Sequence, residues 1–224
     1  MTPCPSGFTL LHADSALLVL EKPAGLLCVP GRGADKQDSL SVRVQAAFPD
    51  ALIVHRLDMA TSGLVLMARG LDSQRRLSAA FAERQVRKRY VALVAGDIQT
   101  ASPLPPEEWA GIDLPIAADW PNRPRQKIDH ALGKSSVTRW RQAPQGQQLT
   151  MQKATRVELE PLAGRTHQLR LHMATIGHPI LGDALYAPPA IAQASGRLML
   201  HAARLCFSHP VTGDTQQFDS PAAF

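Results

Sequence analysis

The stretch His55-Arg56-Leu57-Asp58-Met59-Ala60-Thr61-Ser62-Gly63-Leu64 is the most informative part of the chain. It places one carboxylate, Asp58, between a basic dipeptide and a Thr-Ser-Gly sequence. The apolar runs on either side, 52–54 and 64–67, predict buried strands, and Thr-Ser-Gly predicts the break between them. Asp58 would then lie on a loop that two core strands hold in place. Because a loop aspartate is most often a turn or capping residue, the pattern alone leaves catalysis open.

Composition indicates an ordinary globular protein. The 224 residues are 45% hydrophobic and 19% charged, and this length fits one large domain, 1–224, with a single core. No apolar run is long enough to cross a bilayer, and the N-terminus lacks a basic region followed by an apolar stretch. We therefore expect a cytoplasmic protein without membrane association, and we expect a monomer with no obligate protein partner.

Cysteine and histidine usage argues against a disulfide framework or a metal site. Cys4, Cys28 and Cys206 are too few and too scattered for either, and their odd number suits a reducing compartment. His167 and His172 are five residues apart, which is about 140° around a helix, so they cannot face one ion. We expect plain thiols and no bound metal.

Positive charge is concentrated in one segment. The net charge is +5 and the sequence pI is about 9.4. Residues 69–89 hold seven Lys or Arg against two acidic residues, so this segment alone equals the net charge of the chain. A solvated helix face is the ordinary interpretation of such a run, but clustered cations also bind phosphates and release their counterions. The candidates for contact with a nucleic acid are Arg84, Arg87, Lys88 and Arg89.

Hydrophobic periodicity predicts helices and strands without a regular βαβ order. This mixture indicates an α+β fold with a mainly antiparallel sheet. Strands are predicted at 8–11, 16–20, 90–94, 157–160 and 198–207. Three helices are predicted: one capped by Ser39 and running to Phe48, one capped by Asp72 that buries Leu77, Ala80 and Phe81, and one capped by Thr166 and ended by Gly177.

Five segments together resemble the RluA family of RNA pseudouridine synthases, and they occur in that family's order. They are the stretch quoted above and the segments 21–27 (EKPAGLL), 88–90 (KRY), 164–172 (GRTHQLRLH) and 177–183 (GHPILGD). A further segment, 119–127 (DWPNRPRQK), resembles the member that gives the family its name rather than its larger relatives. The resemblance implies an isomerase that converts uridine in RNA to pseudouridine. It also implies the pseudouridine synthase fold, a mixed sheet with flanking helices and a central active-site cleft.

The resemblance also bears on domain organisation. Many larger relatives begin with a small S4-like RNA-binding domain, whereas the first motif here begins at Glu21, so we expect a catalytic domain that binds its RNA unaided. The proline-rich stretch of about 97–127 could be a linker or an excursion from the domain. We expect an excursion, because neither side of it holds a complete set of motifs.

The chemistry explains why a carboxylate is needed. Forming pseudouridine breaks the N1–C1′ bond, turns the uracil and rejoins it through C5, so no cofactor is required. A carboxylate can act as nucleophile or stabilise charge at C1′, and the resemblance implies Asp58 in this role. Because burial alone would neutralise an aspartate, a guanidinium partner is needed, and the resemblance implies Arg165. It implies that Tyr90 stacks on the target uracil, and it leaves open whether the Tyr90 hydroxyl moves a proton.

The remaining site residues concern RNA binding. A uridine in a stacked loop must be extracted before its C1′ can be reached, and the resemblance implies that Arg56 takes the space of the flipped base. His55 and Thr61 are expected only to position their neighbours. In segment 119–127 we expect Trp120 to be a packing residue. The predicted backbone-binding cations of that segment are Arg123, Arg125 and Lys127.

The substrates implied by the resemblance are a stem-loop of 23S rRNA and the anticodon stem-loop of tRNA. Three alternatives stay open: a family member with a single different target, a non-catalytic RNA-binding protein on the same fold, and a nucleoside hydrolase or base-excision glycosylase. Asp58, Tyr90 and Arg165 together favour catalysis, because binding alone needs no carboxylate facing phosphates. A hydrolase would also need a water-activating base, and none is evident near the motifs.

Overall fold

The computed structural model describes residues 7–98, 108–143 and 154–224. Cys4 and residues 99–107 of the predicted proline-rich excursion lie outside these ranges. The strands in the described part are β1 Thr9–Ala13, β2 Leu17–Lys22, β3 Ala51–Ile53, β4 Ser62–Arg69, β5 Arg87–Ala95, β6 Ala110–Asp113, β7 Ile116–Ala118, β8 Gln126–Ile128, β9 Val137–Gln142, β10 Ala154–Pro161, β11 Leu200–Ser208 and β12 Thr215–Asp219. The helices are α1 Leu40–Gln45, α2 Leu71–Ala82, α3 Gln168–Thr175 and α4 Pro189–Ala192.

Contacts within the chain divide it into two compact units. The first comprises Met1–Lys88 and His201–Ala223, and the second comprises Arg89–Leu200 and Phe224. The boundary falls within β5. That the whole of 1–224 acts as a single catalytic domain stays a prediction.

The first unit contains a mixed sheet. Its strands follow the order β1-β2-β4-β11, with β3 paired to β4 and β12 paired to β11. The pairing of β4 with β11 is parallel, and the other pairings in this unit are antiparallel. The amphipathic helix α2 packs its predicted apolar face, centred on Leu77, against a core that includes Leu66 and Phe207. Strand β4 is buried along almost its entire length, as expected for a central strand covered on both faces.

The second unit contains an antiparallel sheet in the order β5-β10-β9-β6, together with the two-stranded hairpin β7–β8. Strand β10 alternates between buried and half-buried residues, as the pattern at 157–160 predicts. Helix α3 packs against β8, β9 and β10. The predicted α+β class with a mixed, mainly antiparallel sheet is therefore confirmed.

The helix caps were predicted with mixed success. Ser39 does cap α1, since its Oγ accepts a hydrogen bond from the backbone N–H three residues on, although the helix ends at Gln45, earlier than predicted. The prediction that Asp72 caps α2 is wrong, because the N-cap is Gly70, two residues earlier, and the helix begins at Leu71. Asp72 lies in the first turn and pairs with Arg75 instead.

The prediction of a break at Thr-Ser-Gly is also wrong. Strand β4 begins at Ser62, so Gly63 lies inside the strand, with a φ of +109°. A Cβ at Gly63 would lie 2.4 Å from the carbonyl oxygen of Ala202 and 2.6 Å from its backbone nitrogen. Glycine is needed here because only a residue without a Cβ lets β11 approach β4 so closely.

Candidate functional site

Asp58 lies in a tight turn that precedes β4. The backbone N–H of Thr61 donates to the carbonyl oxygen of Asp58 at 3.1 Å, which closes the turn. Leu57 is buried, Asp58 is half-buried and Met59 is 51% exposed. Leu57 therefore anchors the turn in the core of the first unit, and Asp58, the next residue, is partly accessible to solvent.

A fully buried ammonium group lies beneath this turn. Lys22, the last residue of β2, donates from Nζ to the carbonyl oxygens of Pro23 at 2.7 Å, Leu26 at 2.8 Å and Met59 at 3.0 Å. Each of these is a charge-assisted hydrogen bond. They join β2, the loop after it and the turn that carries the predicted catalytic residue.

The charge of Lys22 acts on Asp58. Burial lowers the pKa of Lys22 from 10.5 to about 8, and the nearby Asp58 carboxylate opposes that shift. The three carbonyl acceptors also favour the ammonium form, because a neutral amine has only two hydrogens to donate. The ammonium attracts negative charge at the Asp58 carboxylate through a medium that is poorer in water than the surface.

Two further contacts brace the turn from the same segment. The N–H of Gly25 donates to the carbonyl oxygen of Met59 at 2.8 Å, and the N–H of Leu57 donates to the sulfur of Cys28 at 3.2 Å. Burial raises the pKa of the Cys28 thiol, so this sulfur acts as a neutral acceptor. Sequence reasoning included 21–27 among the motifs but gave Lys22 no role. The available signal was its place on the same face of β2 as the apolar side chains.

His55 and Thr61 form part of the framework around the turn. His55 accepts a hydrogen bond at Nε2 from the N–H of Leu66 at 2.9 Å, and its ring stacks on Phe81 with 4.5 Å between centroids. Burial, followed by the charge of Lys88, lowers the pKa of His55 to about 3. The ring is therefore neutral. Thr61 is buried, and these contacts support the positioning role expected for both residues.

Most cations of the basic segment 69–89 are already engaged within the chain. The engaged residues are Arg69 with Asp50, Arg75 with Asp72, Arg76 with the carbonyl of Pro210, and Arg89 with Glu158 and Glu160. Lys88 is half-buried, and burial followed by the charge of Arg84 lowers its pKa. Arg84 and Arg87 are exposed and form no ion pair within the described residues. They are the cations of this segment best able to meet a phosphate.

Arg84 has an unusual backbone. Its φ is +61°, directly after the C-cap of α2, a position where glycine is preferred. The N–H groups of Arg84 and Gln85 satisfy carbonyls at the end of that helix. An L residue in this conformation costs about 1–2 kcal/mol. The side chain of Arg84 is thus presented to solvent at a cost in stability. Arg56, two residues before Asp58, is exposed as well.

Tyr90 and Arg89 lie at the start of the second unit, on β5. Tyr90 is half-buried and is paired in register with Leu159 on β10. Arg89 donates to Glu160 at 2.8 Å and lies 3.6 Å from Glu158. Its charge is therefore neutralised within the sheet, and contact between Arg89 and RNA stays a prediction.

Arg165 lies in a turn before α3. Its backbone N–H donates to Oε1 of Gln168 and its carbonyl accepts from the Gln168 N–H, both at 3.1 Å. Its Nε is 3.4 Å from the carbonyl of Ser135. The prediction that Thr166 caps α3 is wrong: the residue before the helix is His167, with a φ of +54°, and the Gln168 side chain ties the turn. The predicted pairing of Arg165 with Asp58 stays a prediction.

The motif 177–183 has a structural role in the second unit. Gly177, with a φ of +86°, ends α3 as predicted, because the next N–H bonds back to the carbonyl of Met173. Asp183 is fully buried and forms a two-point ion pair with buried Arg170, with distances of 2.8 and 2.6 Å. Because both charges are buried, removal of either residue would destabilise the fold by taking away the counter-charge of the other.

Segment 119–127 forms a loop that leads into β8. The expectation that Trp120 is a packing residue is wrong: it is 67% exposed, and the Arg123 guanidinium carbon lies 3.4 Å from its ring centroid. Arg125 is exposed, whereas Lys127 pairs with Asp129 at 3.0 Å. The two arginines are therefore better placed to bind RNA than the lysine.

Tyr186 holds this loop, and sequence reasoning missed it. Its hydroxyl accepts from the N–H of Gln126 and is hydrogen-bonded to Nδ1 of His167, both at 2.8 Å. The signal for Tyr186 was its place three residues after Asp183, the last residue of a motif. The loop and the turn that carries Arg165 thus share one anchor.

The described residues contain neither a membrane-spanning helix nor a cluster of metal ligands. None of the helices in the described ranges is long and apolar enough to cross a membrane. Within the same ranges, no group of three His, Cys, Asp or Glu side chains is arranged to hold a metal ion. That the reaction needs no metal and no cofactor stays a prediction.

Comparison with known proteins identifies the class. Residues 16–175 match the family model described as RNA pseudouridylate synthase. The chain belongs to this family and is an isomerase that forms pseudouridine in RNA.

Individual relatives are similar over nearly the whole chain. The dual-specificity RNA pseudouridine synthase RluA of Yersinia pestis is 44% identical over 215 residues, covering 96% of this chain and 99% of that protein. The protein of the same name from Escherichia coli K12 is 42% identical, covering 96% and 93%. The structure of human RNA pseudouridylate synthase domain containing 1 has a TM-score of 0.76 at 27% identity, covering 99% of this chain and 86% of that one. The pseudouridine synthase fold is therefore confirmed.

Proposed function

We propose that this RNA pseudouridine synthase has two substrates, a stem-loop of 23S rRNA and the anticodon stem-loop of tRNA. The observation that carries this proposal is the 42–44% identity, over 96% of the chain, to two relatives named as dual-specificity enzymes. Such RNAs are found in the cytoplasm, and we propose that the enzyme acts there as a monomer.

Asp58 is the proposed catalytic carboxylate. Its turn is held by hydrogen bonds at Leu57, Met59 and Thr61, so the backbone that presents it is fixed before RNA binds. Fixed geometry lowers the barrier because the reacting groups lose little further freedom. The Lys22 Nζ donates to the carbonyl of Met59, so a buried cation holds the turn that presents the carboxylate for attack or charge stabilisation at the sugar.

Arg165 and Tyr90 are the proposed partners in catalysis. Arg165 would form an ion pair with the Asp58 carboxylate, and its half-exposed side chain in a tied turn supports this role. Tyr90 is half-buried at the start of a strand, which leaves part of its ring accessible to a uracil. The Asp58–Arg165 pair is tested by a double-mutant cycle on the single-turnover rate, where additive losses would refute it.

The exposed arginines provide the proposed RNA contacts. Arg56, next to the catalytic turn, would fill the space of the extracted base, since a guanidinium plane can stack between bases. Arg84 and Arg87 would bind phosphates, because their charges are not neutralised within the described chain.

The test uses synthetic stem-loops of both kinds and the purified protein. Pseudouridine should form in both loops, at comparable rates, and should not form in the same sequences held in a perfect duplex. Activity on one loop alone would refute the dual specificity and leave a single-substrate synthase. Pseudouridine in neither loop would refute both proposed substrates.

A further inference from the structure

Trp120 is held at the surface of the second unit in a form suited to stacking. It is 67% exposed, although a tryptophan of this size usually buries most of its ring. The guanidinium carbon of Arg123 lies 3.4 Å from the ring centroid, which is direct cation–π contact. The cation covers one face of the ring, and the exposure of the residue leaves most of the remaining ring surface open to solvent.

Hydrogen bonds within the loop hold its backbone around Trp120. The N–H of Asp119 donates to the carbonyl of Arg125 at 3.0 Å, and the N–H of Arg125 donates to the carbonyl of Asn122 at 3.0 Å. The N–H of Asn122 donates to the carbonyl of Asp119 at 3.1 Å, and the Asn122 side chain donates to the Asp119 carboxylate at 2.9 Å. These bonds close the loop on itself, so ordering Trp120 costs little when a ligand binds.

The loop is also fixed relative to the turn of Arg165. The hydroxyl of Tyr186 connects the backbone of Gln126 to the ring of His167, and His167 follows Arg165 by two residues. A group bound at Trp120 would therefore be held at a constant distance from the predicted catalytic arginine. This connection lies wholly within the second unit.

The charges around Trp120 identify the chemistry of the ligand. Arg123 and Arg125 are exposed and form no ion pair with a carboxylate within the described residues, whereas Lys127 pairs with Asp129. A flat apolar ring with a guanidinium on one face and a second exposed arginine in the same loop fits a nucleotide, because every base has a stacking face and carries a phosphate beside it. A protein hot spot can also use Trp and Arg, but two adjacent uncompensated cations favour a polyanion.

We propose that Trp120, backed by Arg123, stacks on an unpaired base of the substrate loop other than the target uridine, and that Arg125 binds a neighbouring phosphate. The inference rests on the proposed stem-loop substrates. It explains how one enzyme can accept two RNAs, because stacking requires an unstacked base in the right place and tolerates its identity.

The test compares the wild type with W120A, W120F and L132A. Leu132 is the matched control, since it is also a large apolar residue of the second unit and is 82% exposed. The affinity for a fluorescently labelled stem-loop should fall about five- to a hundredfold in W120A, less in W120F, which keeps an aromatic face, and not in L132A. The melting temperatures of W120A and the wild type should agree, which excludes misfolding.

A second arm identifies the stacked base. Each unpaired nucleotide of the loop is replaced in turn by an abasic nucleotide. The affinity of each modified stem-loop is then measured for the wild type and for W120A. At one position, outside the target uridine, the abasic change should weaken wild-type binding and leave W120A binding unchanged. The proposal would be overturned if, at every position, the abasic change weakened binding by W120A as much as binding by the wild type. It would also be overturned if W120A bound the unmodified stem-loop as tightly as the wild type does.

The two proposals fail in different ways. Turnover of each stem-loop by the wild type tests dual specificity. Stacking by Trp120 is tested by the binding experiments, on whichever RNA the wild type modifies. If the wild type modifies one loop only, and one abasic position weakens binding by the wild type but not by W120A, stacking by Trp120 is supported and the second substrate is refuted.

Discussion

Lys22→Met tests how the catalytic turn is supported. Methionine has a similar length and no charge, so it removes three hydrogen bonds and one buried ammonium. In the variant the Met59 carbonyl still accepts a hydrogen bond from the N–H of Gly25. The carbonyls of Pro23 and Leu26 lose the donor that Lys22 supplied. Of these two, the Leu26 carbonyl is the buried acceptor, and leaving it unsatisfied costs about 1–3 kcal/mol.

Removal of the charge acts in the opposite direction. The pKa of Lys22 falls from 10.5 in the unfolded chain to about 8 in the folded protein, mainly through burial. A lowering of this size corresponds to about 3 kcal/mol of cost for the buried ammonium at neutral pH. At pH 7 the two effects largely offset, so we expect Lys22→Met to change the free energy of unfolding by less than about 3 kcal/mol.

The dependence on pH separates the two effects. Between pH 8 and 10.5 the folded protein has released the Lys22 proton while the unfolded chain still binds it, so wild-type stability rises with pH in this window. Lys22→Met has no such group. The stability of the wild type relative to the variant should therefore increase by about 3 kcal/mol from pH 7 to 10.5.

Activity should show the opposite trend. The wild type should lose activity as pH rises through about 8, because the neutral Lys22 amine can no longer donate to all three carbonyls that hold the catalytic turn. Lys22→Met should be at least tenfold slower at pH 7, and its rate should lack this step. Urea unfolding and single-turnover pseudouridine formation at pH 7, 8, 9 and 10 measure both quantities. Equal pH dependence of stability in the two proteins, or equal rates at pH 7, would refute the reasoning.

Three further predictions concern individual residues. Tyr90→Phe should lose roughly a hundredfold in single-turnover rate, with little change in RNA affinity, if the hydroxyl moves a proton; a near-wild-type rate would assign it stacking alone. The double variant Arg84→Ala, Arg87→Ala should weaken RNA binding and reduce the log–log salt slope by about 0.7–0.9 for each phosphate contact, whereas Arg43→Ala, a paired surface arginine of the same unit, should leave the slope unchanged. Asp183→Ala should lower the free energy of unfolding by about 3–5 kcal/mol, because it leaves a buried arginine unpaired; urea unfolding within 1 kcal/mol of the wild type would contradict this.

Local patterns predicted those parts of the fold that depend on local sequence. The buried strand after Asp58, the cap at Ser39 and the glycine that ends α3 each depend on a few neighbouring residues, and all three are confirmed. The apolar run before Asp58 also forms a strand, Ala51–Ile53, but its residues 52 and 53 are only half-buried. The caps assigned to Asp72 and Thr166 were wrong for a related reason. Either residue type can cap a helix, but a change of one or two residues in where the helix begins, set by neighbouring turns, removes that role.

Long-range contacts explain what the sequence could not predict. Glycine is typical of turns, and the sequence therefore predicts a break at Gly63. The close approach of the Ala202 backbone explains why a glycine lies inside the strand instead. Lys22 and Asp58 lie 36 positions apart in the sequence, and no periodic pattern connects them. The size and apolarity of Trp120 predict a packing residue, because such side chains are usually buried, yet Trp120 is exposed.

The central claim is that Asp58 is the catalytic carboxylate, and Asp58→Asn tests it most directly. The change removes charge and nucleophilicity but keeps the shape of the side chain, so fold and RNA affinity should persist. Asp72→Asn is the matched control, since Asp72 is an exposed carboxylate of the same unit. The measurement is the single-turnover rate of pseudouridine formation in a stem-loop that the wild type modifies. We predict a rate at least about a thousandfold lower for Asp58→Asn and an unchanged rate for Asp72→Asn. A rate for Asp58→Asn within tenfold of the wild type would contradict the account.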